Sequence, residues 1–206
     1  ALAALGAVDF LMWVVTGIST GLTQGFSIQL SQYYGAKDFE NLRKSLAHSY
    51  RLTAFIAAGV FILSQSFASL VLTGLHTPSN IIGMSLLYLR IIFCGMPATA
   101  AYNMFASALR AMGNSKTPLT AMIIASVLNV SLDLLFVAGF GWGVAGAAIA
   151  NVIAQSFSSV YCFLILRRID IFHLTRADFM PASRMNARPV ELGISVVFQN
   201  ILLGVG

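Results

Sequence analysis

Asp133 is the only charged residue in the stretch Ala121 to Val137, which otherwise reads as an apolar helix with a few small polar side chains. Holding an ionised group in such a stretch inside a bilayer costs about 2.5–3.5 kcal/mol. Residues of this kind therefore usually face a cavity or a partner and mark ion or substrate paths. The competing reading is a structural carboxylate bonded to a neighbouring helix. Asn129 stands four residues before Asp133, on the same helix face and roughly 6 Å away along the axis. Asn151 lies about as far beyond the glycine-rich turn near residue 140 as Asn129 and Asp133 lie before it, so an antiparallel hairpin brings the three level. Carboxylate and amide oxygens suit a hard cation such as Na⁺, and Asp133 alone can take a proton. The expected coupling ion is thus Na⁺ or H⁺, with no organic cofactor and no metal beyond Na⁺ at Asp133 and Asn129. Asn129-Val130-Ser131 also matches a glycosylation sequon, but a membrane span excludes that use.

Other polar residues sit in apolar stretches. Gln24, Gln29, Asn103 and Gln155 have an ordinary explanation in helix–helix hydrogen bonds; Gln24, Asn103 and Gln155 are also candidates for lining a cavity. Arg90 can snorkel or pair with Asp9 from the same side of the membrane, a structural role. His48, His76 and His173 are scattered and form no metal-ligand pattern. Cys94 and Cys162 fall at different depths of different stretches, against a disulfide. Gly113-Asn114-Ser115-Lys116-Thr117 lacks the glycines of a P-loop and precedes an apolar helix rather than following a strand, so nucleotide binding is rejected. No nucleophile–base arrangement is present, and no enzymatic activity is expected.

The elements that must position Asp133 are membrane helices. Of 206 residues, 58% are hydrophobic and only 9% charged, with mean hydropathy +0.83. Soluble domains carry about 25% charged residues, so this chain cannot clothe a water-facing surface. An all-α, polytopic transmembrane bundle is predicted. Five apolar segments reach the roughly 20 residues needed to span: about 6–34, 47–73, 81–109, 119–138 and 143–166. A further helix starts near 189. Turn chemistry bounds them. Gly35 is the expected C-cap of the first. Ser79 or Asn80 caps the third. Pro118 opens the fourth at its first helical position. Gly139, Gly141 and Gly143 make the turn before the fifth.

Charge gives the orientation. Eleven of the twelve Lys and Arg residues fall in or beside the connections around 35–51, 110–118 and 167–188, whereas the loops near 74–80 and 139–143 hold none. The positive-inside rule places the basic connections in the cytoplasm and the Asp133 level in the outer half of the membrane. The net charge of +5 then reads as membrane topology, not nucleic-acid binding. The segment 167–188 mixes Ile, Phe and Arg and suits a cytoplasmic linker lying along the interface, with residues 189–206 starting the next lobe. The chain begins at Ala1 and ends within an apolar run, so truncation at both ends is expected; the first segment runs from outside to inside, so at least one spanning helix is expected before it.

Several motifs resemble the multidrug and toxic compound extrusion (MATE) family. They are Gln32-Tyr33-Tyr34-Gly35-Ala36-Lys37 with Leu42-Arg43-Lys44; Tyr88-Leu89-Arg90-Ile91 leading to Gly95-Met96-Pro97; and Ala108 through Pro118. Asn129-x-x-x-Asp133, Gly143-Val144-Ala145-Gly146-Ala147-Ala148 and Gln155 complete the set. The likeness covers the whole chain as helices two to six and the start of helix seven of a twelve-helix, two-lobe transporter. It implies export of organic, often cationic compounds in exchange for Na⁺ or H⁺, from the plasma membrane (a prokaryotic inner membrane), with membrane lipids and the rest of the same transporter as partners. In the family's amino-terminal lobe a helix-one Asp joins the Asn and Asp matched by Asn129 and Asp133. A helix-six Thr has Asn151 in its place. Where one branch carries a helix-seven Glu, this chain has Leu203, with Gln199 as the nearby cavity candidate. That pattern is similar to the DNA-damage-inducible-protein-F-like branch.

The resulting expectation is an ion-coupled efflux antiporter working by alternating access. The alternatives are a flippase for a lipid-linked precursor, which would call for more basic residues in its cavity, and a non-transporting scaffold in which Asn129 and Asp133 are structural.

Overall fold

A computed structural model of the chain describes residues 25–74 and 79–169. The described residues are helical apart from short connections. Helix α1 covers 25–35, α2 Phe39–Gly74, α3 Ser79–Ala111, α4 Lys116–Asp133 and α5 Gly143–Arg167. A π-helical segment, Leu134–Gly139, continues α4. Among the described residues four helices are long and apolar enough to cross a membrane: Phe39–Ser66, Ile82–Ala111, Lys116–Gly139 and Gly143–Arg167. The chain is a multi-pass membrane protein of all-α class. Gln24, Asp9, the segment from 170 onward with Arg176 and the proposed inter-lobe linker, Gln199 and Leu203 all lie outside the described residues.

The α1–α2 connection differs from the sequence expectation. The helix ends with the Asp38 N–H on the Tyr33 carbonyl at 3.0 Å and the Lys37 N–H on the Tyr34 carbonyl at 3.1 Å. That is a Schellman motif whose left-handed residue is Lys37, at φ 57°, and not Gly35, which belongs to the last helical turn. The same motif closes α3 with Gly113 at φ 81°: the Gly113 N–H meets the Arg110 carbonyl at 2.9 Å and the Asn114 N–H the Leu109 carbonyl at 3.0 Å.

Helix α2 starts at Phe39, well before the apolar run near 47. Asp38 makes this possible by accepting the Asn41 backbone N–H at 3.1 Å and its side-chain amide at 2.7 Å. Glu40 and Lys44 then pair across one turn at 2.5 Å. At 1.5 Å per residue the 36 residues of α2 reach about 54 Å, against a hydrocarbon core of about 30 Å. Its stretch after Arg51 carries no charge and is itself long enough to span. The charged first turns therefore stand outside the hydrocarbon. Helix α4 begins two residues earlier than Pro118. Asn114 Oδ1 accepts the Thr117 N–H at 3.1 Å, and Pro118 occupies the third helical position, still inside the first turn where no intrahelical donor is needed.

Helix α5 is the central element, packed against both α3 and α4, while α2 packs on α3. The tightest packing lies at the basic end of the bundle, where Leu30, Leu42, Leu46, Met104, Leu109, Ala121, Cys162 and Leu166 form one buried cluster. Ser45 Oγ donates to Gln29 Oε1 at 3.0 Å within it, so Gln29 is a helix–helix tie. Both cysteines are free thiols, Cys94 exposed and Cys162 buried.

Candidate functional site

The α4–α5 hairpin carries Asn129, Asp133 and Asn151, and two contacts fix its register. Near the basic end, Ser158 Oγ on α5 donates to the Ala121 carbonyl on α4 at 3.4 Å. Near the far end, Gly146 lies against Phe136: a Cβ added there would fall 2.9 Å from Phe136 Cβ and 3.2 Å from its carbonyl carbon. Counting between these anchors, Asn151 is seven residues before Ser158 and Leu128 seven after Ala121. Asn151 therefore stands level with residues 128–130, on almost the same line of α5 as Ser158. Small residues make the approach possible. Gly146, Ala150, Ala154 and Ser158 repeat every four residues on α5 and are all buried, facing the buried Ala121 and Ala125 of α4. Such stripes let membrane helices come close.

Above that seam the character changes. Asn129 Nδ2 and Asp133 Oδ1 are buried and have no hydrogen-bond partner among the described residues. Among the described residues only Arg43 Nε shares that condition. Each buried orphan costs about 1–3 kcal/mol, so two of them one turn apart in a span mark a place that is incomplete as it stands. A half-turn of the Asn129 amide would present Oδ1 in place of Nδ2, so the pair can offer a cation two oxygens, one of them charged. Asn151 is exposed and Gln155, one turn along α5, is half-buried. Asn103 is not at this level. Gly95 on α3 abuts Val152, and α3 and α5 run the same way. Asn103, eight residues past Gly95, thus stands roughly 13 Å nearer the basic end than Asn151.

Directly after Asp133 the helix widens into the π segment. It closes with the Phe140 N–H on the Leu135 carbonyl and the Trp142 N–H on the Phe136 carbonyl, both 2.9 Å. Gly141 and Gly143 turn the chain at φ 68° and 55°. Phe136, Phe140 and Trp142 cluster there, with ring centroids 5.2–6.1 Å apart. Phe140 and Trp142 are exposed, as aromatic residues at a membrane interface are. π turns often sit at functional positions, and this one begins on the lone carboxylate of the span. Sequence reasoning did not find it. Among the described residues no group of three or more His, Cys, Asp and Glu side chains is placed to hold a metal ion.

A bundle of long apolar helices of this kind defines a polytopic membrane protein. Residues 1–135 match the MatE family, and the chain belongs to it. It is 32% identical over 170 residues to the probable multidrug resistance protein YoeA of Bacillus subtilis (strain 168), covering 81% of this chain and 36% of that protein. It is also 32% identical over 205 residues to the probable multidrug resistance protein YpnP of the same strain, covering 98% and 45%. The multidrug export protein MepA of Staphylococcus aureus (strain NCTC 8325 / PS 47) is 23% identical over 197 residues, covering 93% and 43%. The chain thus spans less than half the length of the curated relatives it matches. Its fold is that of a solved MATE in the bent conformation, at TM-score 0.89, 22% identity and coverage of 99% and 46%. An outward-facing multidrug resistance MATE family transporter of the MOP superfamily matches at TM-score 0.88 with the same identity and coverage.

Proposed function

We propose that this chain provides the ion-coupling site of a secondary active antiporter, which exports small organic, cationic compounds in exchange for Na⁺ or H⁺ by alternating access. The observation that carries this reading is the pair of buried, unpartnered atoms Asn129 Nδ2 and Asp133 Oδ1 within a membrane span. Asp133 supplies the single negative charge. Asn129 supplies a neutral ligand, and Asn151, level with it on α5, a second. One carboxylate balances one positive charge, so coupling ion and substrate cation exclude each other, and exchange follows from that competition. The multidrug export named for the relative MepA, and the probable multidrug resistance named for YoeA and YpnP, agree with it.

The test is Asp133→Asn in the full-length protein, reconstituted in vesicles under an imposed Na⁺ or H⁺ gradient with protein quantified. Asn keeps size and hydrogen bonding but loses the charge, so coupled efflux is expected to vanish while folding survives. Asn129→Ala removes one neutral ligand and should weaken ion affinity by roughly 1–2 kcal/mol. Unchanged, gradient-driven efflux by Asp133→Asn would make the carboxylate structural.

A further inference from the structure

On the opposite flank of α5 from α4 lies a groove of about 500 Å³ between α2, α3 and α5, walled by Tyr50, Ala57, Phe61, Pro97, Ala101 and Phe163. Phe105 sits between the two aromatic walls, its ring centroid 5.6 Å from Tyr50 and 5.3 Å from Phe163. Ala54 and Ala58 also border it, and with Pro97 they are exposed, so the groove is open sideways. Its end toward the basic pole is closed by the buried cluster that includes Leu46 and Met104.

Length, depth and charge point to one occupant. From Tyr50 to Phe61 the groove follows α2 for about 16 Å, half of the roughly 30 Å hydrocarbon core. That is the thickness of one leaflet. Tyr50 marks the boundary, since every charged residue of α2 lies at or before Arg51. Basic side chains stand at that end. Arg51 follows Tyr50 and is exposed; Arg167, also exposed, is one turn past Phe163 on the same face of α5. Arg43, two turns before Tyr50 on its face, has a buried Nε with no partner. Among the described residues no acidic side chain lines the groove, so an organic cation would meet no counter-charge from them there.

The geometry points to a phospholipid site: one acyl chain lies in the groove, and an anionic headgroup rests against Arg51 and Arg167. The tail gives position but little selectivity, because every lipid tail is equally apolar. The headgroup selects, at roughly fivefold per arginine, so anionic lipid is favoured over zwitterionic by roughly twenty-five-fold. This site is independent of the ion site at Asp133.

The experiment uses the full-length protein in phosphatidylcholine vesicles with a trace of phospholipid carrying a photoreactive diazirine in its acyl chain, as phosphatidylglycerol or as phosphatidylcholine. Crosslinks are mapped by peptide mass spectrometry. Phosphatidylglycerol should label residues 53–61 and 97–105 roughly twenty-five-fold more than phosphatidylcholine does. The double change Arg51→Gln and Arg167→Gln should bring the two to parity while leaving the groove intact. Ala57→Phe should lower labelling by both probes. Equal labelling by the two headgroups, or labelling no stronger in the groove than at exposed Phe55 and Ile62, would reduce the lipid to ordinary solvent and overturn the proposal. Displacement of the label by ethidium would overturn it too, assigning the groove to the exported compound.

Discussion

The close approach of α3 to α5 at Gly95 can be tested through a change of sign. A Cβ added to Gly95 would lie 2.7 Å from Val152 Cγ2, with Val152 Cβ and Cγ1 at 3.4 and 3.5 Å. Carbon atoms prefer about 3.5–4.0 Å, so Gly95→Ala forces the helices apart by roughly 0.8 Å at that point. Overpacking of this kind costs about 1–3 kcal/mol. Against it stands the helix preference of Ala over Gly, up to about 1 kcal/mol. The clash outweighs that preference, and Gly95→Ala alone should destabilise by about 1 kcal/mol. Val152→Ala removes both Cγ atoms, and with them the clash. In that background Gly95→Ala should be neutral or stabilising by up to about 1 kcal/mol. The coupling between the two sites is then about 2 kcal/mol, inside the range for residues in contact. Four purified variants are compared by thermal denaturation in detergent at one scan rate. A shift of the same sign and size from Gly95→Ala in both backgrounds would refute the contact.

Other consequences are read more briefly. Lys37→Gly should raise the thermal midpoint, because a side chain at φ 57° is strained by about 1 kcal/mol and glycine is not; an unchanged or lower midpoint would contradict the Schellman assignment. The Asn41 side chain, and then its backbone N–H, hold the Asp38 carboxyl below its ordinary 3.8. The cap's contribution is therefore complete above that value and lost as pH falls through the lower folded value. Protection of the amides of residues 39–42, taken relative to the intrinsic exchange rate at each pH, should fall as pH drops below about 4, and Asp38→Asn should flatten that dependence. A cysteine placed at Trp142 should react with an impermeant reagent added outside the cell and one placed at Lys116 should not; the reverse would invert the orientation drawn from the basic connections.

Among the described residues, the four helices long enough to span were legible because lipid imposes one strong rule, and apolar length with charge at the ends answers to it. Their ends were less so. Hydropathy cannot see that Asp38 caps α2 ahead of its apolar run, and a Gly–Ala–Lys sequence suggests glycine as the left-handed residue when the hydrogen bonds select Lys37. Counting outward from the glycine turn gave the depth of Asn151. Its exposure depends on how far α3 and α4 flank α5, which spacing along one helix does not report. The four-residue repeat Gly146, Ala150, Ala154, Ser158 was present as a signal for the α4–α5 seam and went unread. The π segment leaves no such mark: its residues are ordinary helix formers.

Packing in the hairpin is uneven along its length, and the unevenness bears on how an ion could act. On α4 the buried residues are Pro118, Ala121 and Ala125, all in the half toward the basic end; the π segment buries none. The same basic end holds the large cluster of Leu42, Leu46, Leu109 and Leu166. Stability within a protein follows such contacts, so the half beyond Ala125 is the one that opens at least cost. Asn129 and Asp133 stand at the start of that half, and the orphan Asp133 Oδ1 is an oxygen that a cation or proton would satisfy. On the proposed reading, binding at this point contributes to stability where packing contributes least. A ligand that favours one arrangement of a loosely held segment shifts its population by the difference in affinity, whatever the distance to the substrate. The tight seam between Ala121 and Ser158 would then serve as the fixed end against which the outer half of α4 moves.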